Sequence, residues 1–149
     1  MSLSTQIMDA MKVAMKAKDQ EKLQALRSVK SAMLLAQTES GAKSELSEDT
    51  EIKLLQKLVK QRKDSAALYA AQGRTDLAEP ELKEAVVIEQ FLPAQLSEEE
   101  VEKMVVAAIA ETGATSMADM GKVMGMVTTK AAGRTDGKTI STLVKKKLS

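Results

Sequence analysis

The side chains with chemistry to offer are cations, gathered towards the two ends of the chain. Residues 113–149 hold 7 basic and 2 acidic residues, a net charge of +5. Residues 1–74 hold 13 basic and 9 acidic, net +4, whereas residues 75–112 hold 2 basic and 10 acidic, net −8. The overall charge of +1 therefore conceals an acidic middle between two basic ends. A basic terminal segment of this kind fits a polyanion. Lys145, Lys146 and Lys147 also fit a plainer role, complementing the C-terminal dipole of a last helix. Lys53, Lys57 and Lys60, with Lys63 beyond them, share one face of a helix. That stripe either tracks phosphates or is a solvated face.

Other chemistries are excluded by residue type. The chain has no histidine, cysteine or tryptophan, and its aromatics are Tyr69 and Phe91 alone. Without Cys there is no zinc finger, disulfide or thiol nucleophile. Without His there is no serine–histidine or histidine–metal constellation. Two aromatics do not make a base-stacking platform for single-stranded RNA. A reaction would have to use carboxylates, Lys, Ser, Thr or backbone amides, and a serine–lysine pair is set by space rather than sequence. We expect no catalytic residue, no metal and no cofactor. No stretch has the length and apolarity of a membrane span or a signal peptide, so a cytoplasmic protein is expected.

The elements that position these cations read as helices throughout. Prolines occur only at 80 and 93, and the long stretches are rich in Ala, Leu, Met, Lys, Glu and Gln. The spacing predicts a first helix over about Ser4 to Ala17, with Leu3, Ile7, Met11 and Ala14 on one face. Asp19 caps a second, carrying Leu23, Leu26, Val29 and Met33 and stopping near Gly41. After a loop over Gly41–Ser47, Ser47 caps a third with Ile52, Leu55, Val59 and Ala66, ended by Gly73. A fourth starts near Thr75, tolerates Pro80 only near its start, and carries Leu82, Val86 and Glu89. Ser97 and Glu100 form a capping box for a fifth, with Val101, Val105, Ala108 and Ile109 inward. A sixth is expected from Met117 to about Ala132. A seventh, capped by Asp136, has Ile140, Val144 and Leu148 inward. No strand signal competes. The fold class expected is all-α, with about four helices over residues 1–93 and three over residues 94–149, divided at Pro93.

Gly121 and Gly125 stand four apart inside the expected sixth helix, where each costs ~1 kcal/mol relative to alanine. Missing Cβ atoms let another backbone approach closely. A neighbouring helix presenting Ile140 and Val144 is the favoured occupant, and an RNA backbone is the other. Met117, Met120 and Met124 recur beside them and read as core.

Several segments together resemble a known family. They are Met120-Gly121-Lys122-Val123-Met124-Gly125, then Lys130-Ala131-Ala132-Gly133-Arg134-Thr135-Asp136-Gly137-Lys138, then Ile140-Ser141 and Val144-Lys145. This run resembles the GatB/YqeY tail motif. Leu26-Arg27-Ser28-Val29-Lys30-Ser31-Ala32 and Phe91-Leu92-Pro93-Ala94-Gln95-Leu96-Ser97 resemble YqeY proteins specifically. The resemblance covers about Leu3 to Leu148. Thr135 stands where the pattern leads us to expect alanine. The resemblance implies kinship with the tail of the B subunit of the glutamine-dependent aminoacyl-tRNA amidotransferase, where that tail helps hold tRNA. It also implies association with carbon–nitrogen ligases that use glutamine as amido donor. The chain has no glycine-rich phosphate loop and no nucleophile–base pair for that chemistry.

The expected function is therefore a non-catalytic module that binds structured RNA, with tRNA as the expected ligand, by backbone and shape. The expected contacts are Lys122, Lys130, Arg134, Lys138 and Lys145, with Arg27 and Lys30 on the second helix. Lys122, Lys130, Arg134 and Lys138 are expected to form one exposed face, and amides at the start of the last helix to meet a phosphate. The alternative is a protein-interaction module or accessory subunit that docks a partner through the acidic 75–112 segment.

Overall fold

Serine and aspartate caps start most of the helices, because each supplies an oxygen to an amide that lacks an intrahelical partner. A computed structural model describes residues 2–39, 41 and 46–149. Its helices are α1 (Leu3–Lys16), α2 (Gln20–Glu39), α3 (Glu48–Ala71), α4 (Thr75–Glu89), α5 (Glu98–Thr112), α6 (Met120–Ala131) and α7 (Gly137–Leu148). No strand occurs among the described residues, and the fold is all-α. Ser2, Ser47 and Ser97 each accept the backbone N–H three residues on, at 3.2 Å. Asp19 accepts from Lys22 at 3.1 Å, and Asp136 from Thr139 at 2.8 Å. Gly73 and Gly113, with φ of +74° and +69°, end α3 and α5 in the left-handed region that glycine enters without strain. Residues 42–45 of the expected 41–47 loop lie outside the described residues.

One expectation about helix detail is corrected, and the face of α4 is added. The sixth helix does not run unbroken from Met117. Met117–Asp119 is a 3₁₀ turn capped by Ser116, and the Asp119 carboxylate accepts the Thr115 N–H at 3.1 Å, which tightens that turn. On α4, Leu82 and Val86 face outward, at 47% and 56% exposure. The buried side is Ala78, Ala85 and Ile88, because small alanines let α4 lie close along α3.

The chain divides into two units, Met1–Leu92 and Pro93–Ser149. In the first, Ile7, Leu26, Val29, Leu55 and Ile88 are fully buried and come from all four helices. In the second, Val101, Val105, Val123, Val127, Ile140 and Val144 do the same for three helices. Both cores are aliphatic, and each such side chain contributes about 1.5–3 kcal/mol by leaving water. Within the first unit, Arg62 ties three helices together. It is 12% exposed, pairs with Glu84 of α4 at 3.0 Å, donates to the Leu58 carbonyl of its own helix at 3.1 Å, and reaches the Ser28 hydroxyl of α2.

Candidate nucleic-acid interface

The turn between α6 and α7 positions most of the tail cations, and its geometry is unusual. Ala132 and Gly133 are both left-handed, with φ of +48° and +83°. Two such residues in succession reverse the chain, and alanine is strained there. The segment before α5 holds the turn in place. The Leu96 N–H donates to the Arg134 carbonyl at 2.7 Å, the Arg134 Nε–H donates to the Ala94 carbonyl at 3.0 Å, and the Gln95 amide reaches the Gly133 carbonyl at 3.4 Å. Pro93–Leu96 is thus a strap on the tail turn. Sequence reasoning missed Ala94 and Gln95 as its members; the sign was that two motif segments forty residues apart both break helix.

The expected cations divide by what holds them. Lys130 gives its ammonium to Glu111 of α5 at 2.9 Å, with 46% of its side chain still exposed. Arg134 spends its Nε–H on the strap and leaves its terminal nitrogens for another partner. Lys122, Lys138 and Lys145 are exposed and form no ion pair among the described residues. Lys138, Thr142 and Lys145 lie four and three apart, so they form one exposed stripe of α7. Lys122 sits on the outer side of α6. The four residues expected to form one exposed face are each exposed: two lysines without ion pairs among the described residues, one lysine paired with Glu111 and one arginine engaged in the turn.

The two glycines are not where a helix closes. Gly121 and Gly125 are exposed, and a Cβ built on either meets nothing within 4 Å. Packing against Ile140 and Val144 is therefore corrected. Those side chains are buried with Val123 and Val127, on the opposite side of α6 from the glycines. What remains is a bare outer strip of helix backbone beside Lys122. The start of α7 is likewise not an open phosphate seat. The Asp136 carboxylate already takes the Thr139 amide, and its negative charge opposes a phosphate there.

Ion pairs account for other charges. On α3, Lys53 pairs with Asp49 at 3.1 Å and Lys60 with Asp64 at 3.5 Å, while Lys63 reaches Glu89 at 2.6 Å. Three of the four lysines of that stripe thus form exposed or partly exposed ion pairs, and Lys57 forms none among the described residues. The acidic middle is partly spent as well: Asp76, Glu84, Glu89, Glu102 and Glu111 all pair with cations of their own unit. Glu102 accepts from Lys147 at 2.9 Å. That hydrogen bond, with the charges of Lys147 and Lys146, holds the Glu102 carboxyl below its ordinary value. Arg27 and Lys30 are exposed on α2 of the first unit, without ion pairs among the described residues.

Among the described residues no polar or charged side chain is buried, and no cluster of acidic residues could hold a metal. No described helix is long and apolar enough to cross a membrane.

Comparison with known proteins adds a family. A family model described as Yqey-like protein matches residues 4–148. "Altered inheritance of mitochondria protein 41, mitochondrial" of Clavispora lusitaniae is 38% identical over 97 residues, covering 63% of this chain and 55% of that protein. The E subunit of the glutamyl-tRNA(Gln) amidotransferase of Thermococcus gammatolerans is 40% identical over 73 residues, 46% of this chain and 12% of that protein. The chain thus spans about half the length of the first relative and a small part of the second.

Proposed function

The chain belongs to the YqeY-like family, and from that premise we propose that its C-terminal unit is a non-catalytic module that binds structured RNA, with tRNA as the leading ligand. The observation that carries this reading is the outer side of α6. Glycines are expensive in a helix, and here no described part of the protein uses the space they leave. A sugar-phosphate backbone can lie against such a strip, with the Lys122 ammonium beside it on a phosphate. The exposed stripe of Lys138 and Lys145 supplies further phosphate contacts. Lys130 joins them, since an exposed ion pair such as Lys130–Glu111 is weak and a phosphate competes with it. Kinship with a protein named for glutamyl-tRNA(Gln) amidotransferase supports the choice of tRNA. Recognition in this reading is by backbone and shape, since the second unit has no aromatic side chain to stack on a base.

A mobility-shift titration with total cellular tRNA tests this, with duplex DNA of equal length as the control. We expect tRNA to bind more tightly than duplex at low salt. Equal affinity for both reduces the interaction to general charge attraction, and no binding to either rejects the reading.

A further inference from the structure

We propose that the cleft between α1, α2 and the start of α3 is a docking site for an acidic amphipathic helix of a protein partner. The cleft lies wholly in the first unit and is independent of RNA binding by the second. Its floor is Ile7 and Met33, and its walls are Met8, Leu34 and Leu46. Met8 and Leu34 are 46% and 56% exposed, and Leu35 beside them is 60% exposed. The cavity is about 80 Å³, far below the roughly 300 Å³ at which small-molecule sites begin. It suits one inserted aliphatic side chain. Methionine walls adapt to the shape of such an anchor.

Charge selects the occupant. Lys30 lines the cleft, Arg27 lies one turn before it on α2, and Lys12 lies one turn beyond Met8 on α1. None of the three forms an ion pair among the described residues. On α3, Lys53, Lys60, Arg62 and Lys63 are paired, and Lys57, which forms no ion pair among the described residues, does not line the cleft. Free cations around exposed apolar side chains complement a helix with leucine-like anchors flanked by carboxylates. An RNA backbone would meet the cations but leave Met8 and Leu34 uncovered. Glu51, on the α3 side of the cleft, repels a carboxylate placed there, so it sets the direction in which the helix lies. This assigns Arg27 and Lys30 to a protein partner and separates them from the tail lysines.

A fluorescein-labelled amphipathic peptide, with leucine at i, i+3, i+4 and i+7 and glutamate elsewhere, tests the proposal by anisotropy on the full chain. Its controls are the same peptide with lysine for glutamate, and a scrambled sequence. We expect saturable binding of the acidic peptide alone. Lys30→Glu should weaken it about fivefold, the scale of one exposed charge pair. Leu34→Ser should weaken it about tenfold through lost apolar burial. Both positions are exposed, so unchanged far-ultraviolet circular dichroism is expected, and Lys57→Glu on α3 should leave binding as it was. Three results overturn the proposal: equal binding of the scrambled peptide, equal loss with Lys57→Glu, or displacement of the peptide by tRNA or by phosphatidylserine vesicles. Because tRNA affinity is read separately on the same variants, failure here and failure of RNA binding are distinguishable.

Discussion

The Arg134 guanidinium donates its Nε–H to the Ala94 carbonyl at 3.0 Å, joining residues forty apart in sequence. The arginine is thereby a fastener of the turn before α7 as well as a surface charge. Arg134→Met removes both roles, and Arg134→Lys keeps only the charge. We expect each to lower the urea stability of the chain by about 0.5–1.5 kcal/mol, the net value of one hydrogen bond. Arg134→Lys should retain most of the tRNA affinity that Arg134→Met loses. Equal stability of wild type and both variants would remove the fastening role.

Leu55 is fully buried at the centre of the first core. Its fully buried neighbours are aliphatic, with Phe91 only partly buried against them, so truncation leaves a cavity lined mainly by aliphatic groups. Leu55→Ala should cost about 2–5 kcal/mol in urea unfolding. A loss under 1 kcal/mol would mean that the four helices collapse onto the gap.

The helix caps were legible in the sequence because they are local: Ser47, Ser97 and Asp136 each act on an amide three residues away. The aliphatic faces of α2, α3 and α5 were legible for the same reason. On α4 the sequence left the buried face open, because that face is Ala78, Ala85 and Ile88 while the larger Leu82 and Val86 stay outside. The candidate site was less legible. Its lysines could be named, yet nothing in local spacing reveals that Lys147 meets Glu102, that Lys130 meets Glu111, or that the strap holds Arg134. Those pairings exist only once the helices have packed.

The Glu102–Lys147 pair gives a pH signature. Lys147 holds the folded carboxyl below its ordinary value, so the unfolded chain binds the proton more readily in acid. The pair's contribution is therefore complete above the unfolded glutamate value of about 4.3. It disappears as pH falls through the lower folded value. The melting temperature of Lys147→Gln should lie below wild type at pH 6, and the gap should be smaller at about pH 3, below the unfolded glutamate value. A gap of equal size at both pH values would show that the lysine acts by packing alone.

Free lysines that contact phosphate release counterions on binding, so each contributes to salt dependence. Lys138→Gln and Lys145→Gln should each reduce the slope of log K against log[salt] for tRNA by about 1 and weaken binding evenly across tRNA species. Lys53→Gln, on α3 of the first unit and outside the proposed RNA surface, should leave the slope unchanged. An equal effect from all three would mean that binding senses net charge and not the α7 stripe.

Gly121 separates the needs of the fold from those of binding. Its Cβ position is open, so a side chain there displaces nothing within the described protein. Gly121→Ala should stabilise α6 by up to ~1 kcal/mol, through helix propensity alone. Gly121→Leu should be tolerated in the same way, with none of the overpacking cost that a closed helix interface would impose. The same leucine stands where an RNA backbone would lie, so tRNA affinity should fall about tenfold or more while the melting temperature holds or rises. Gly125→Leu, one turn on, should behave alike. A raised melting temperature with undiminished tRNA affinity would detach the glycine strip from the binding surface and leave the lysines to carry it. A lowered melting temperature would show that another part of the chain closes over α6 after all, and the open strip would lose its standing as a place for RNA.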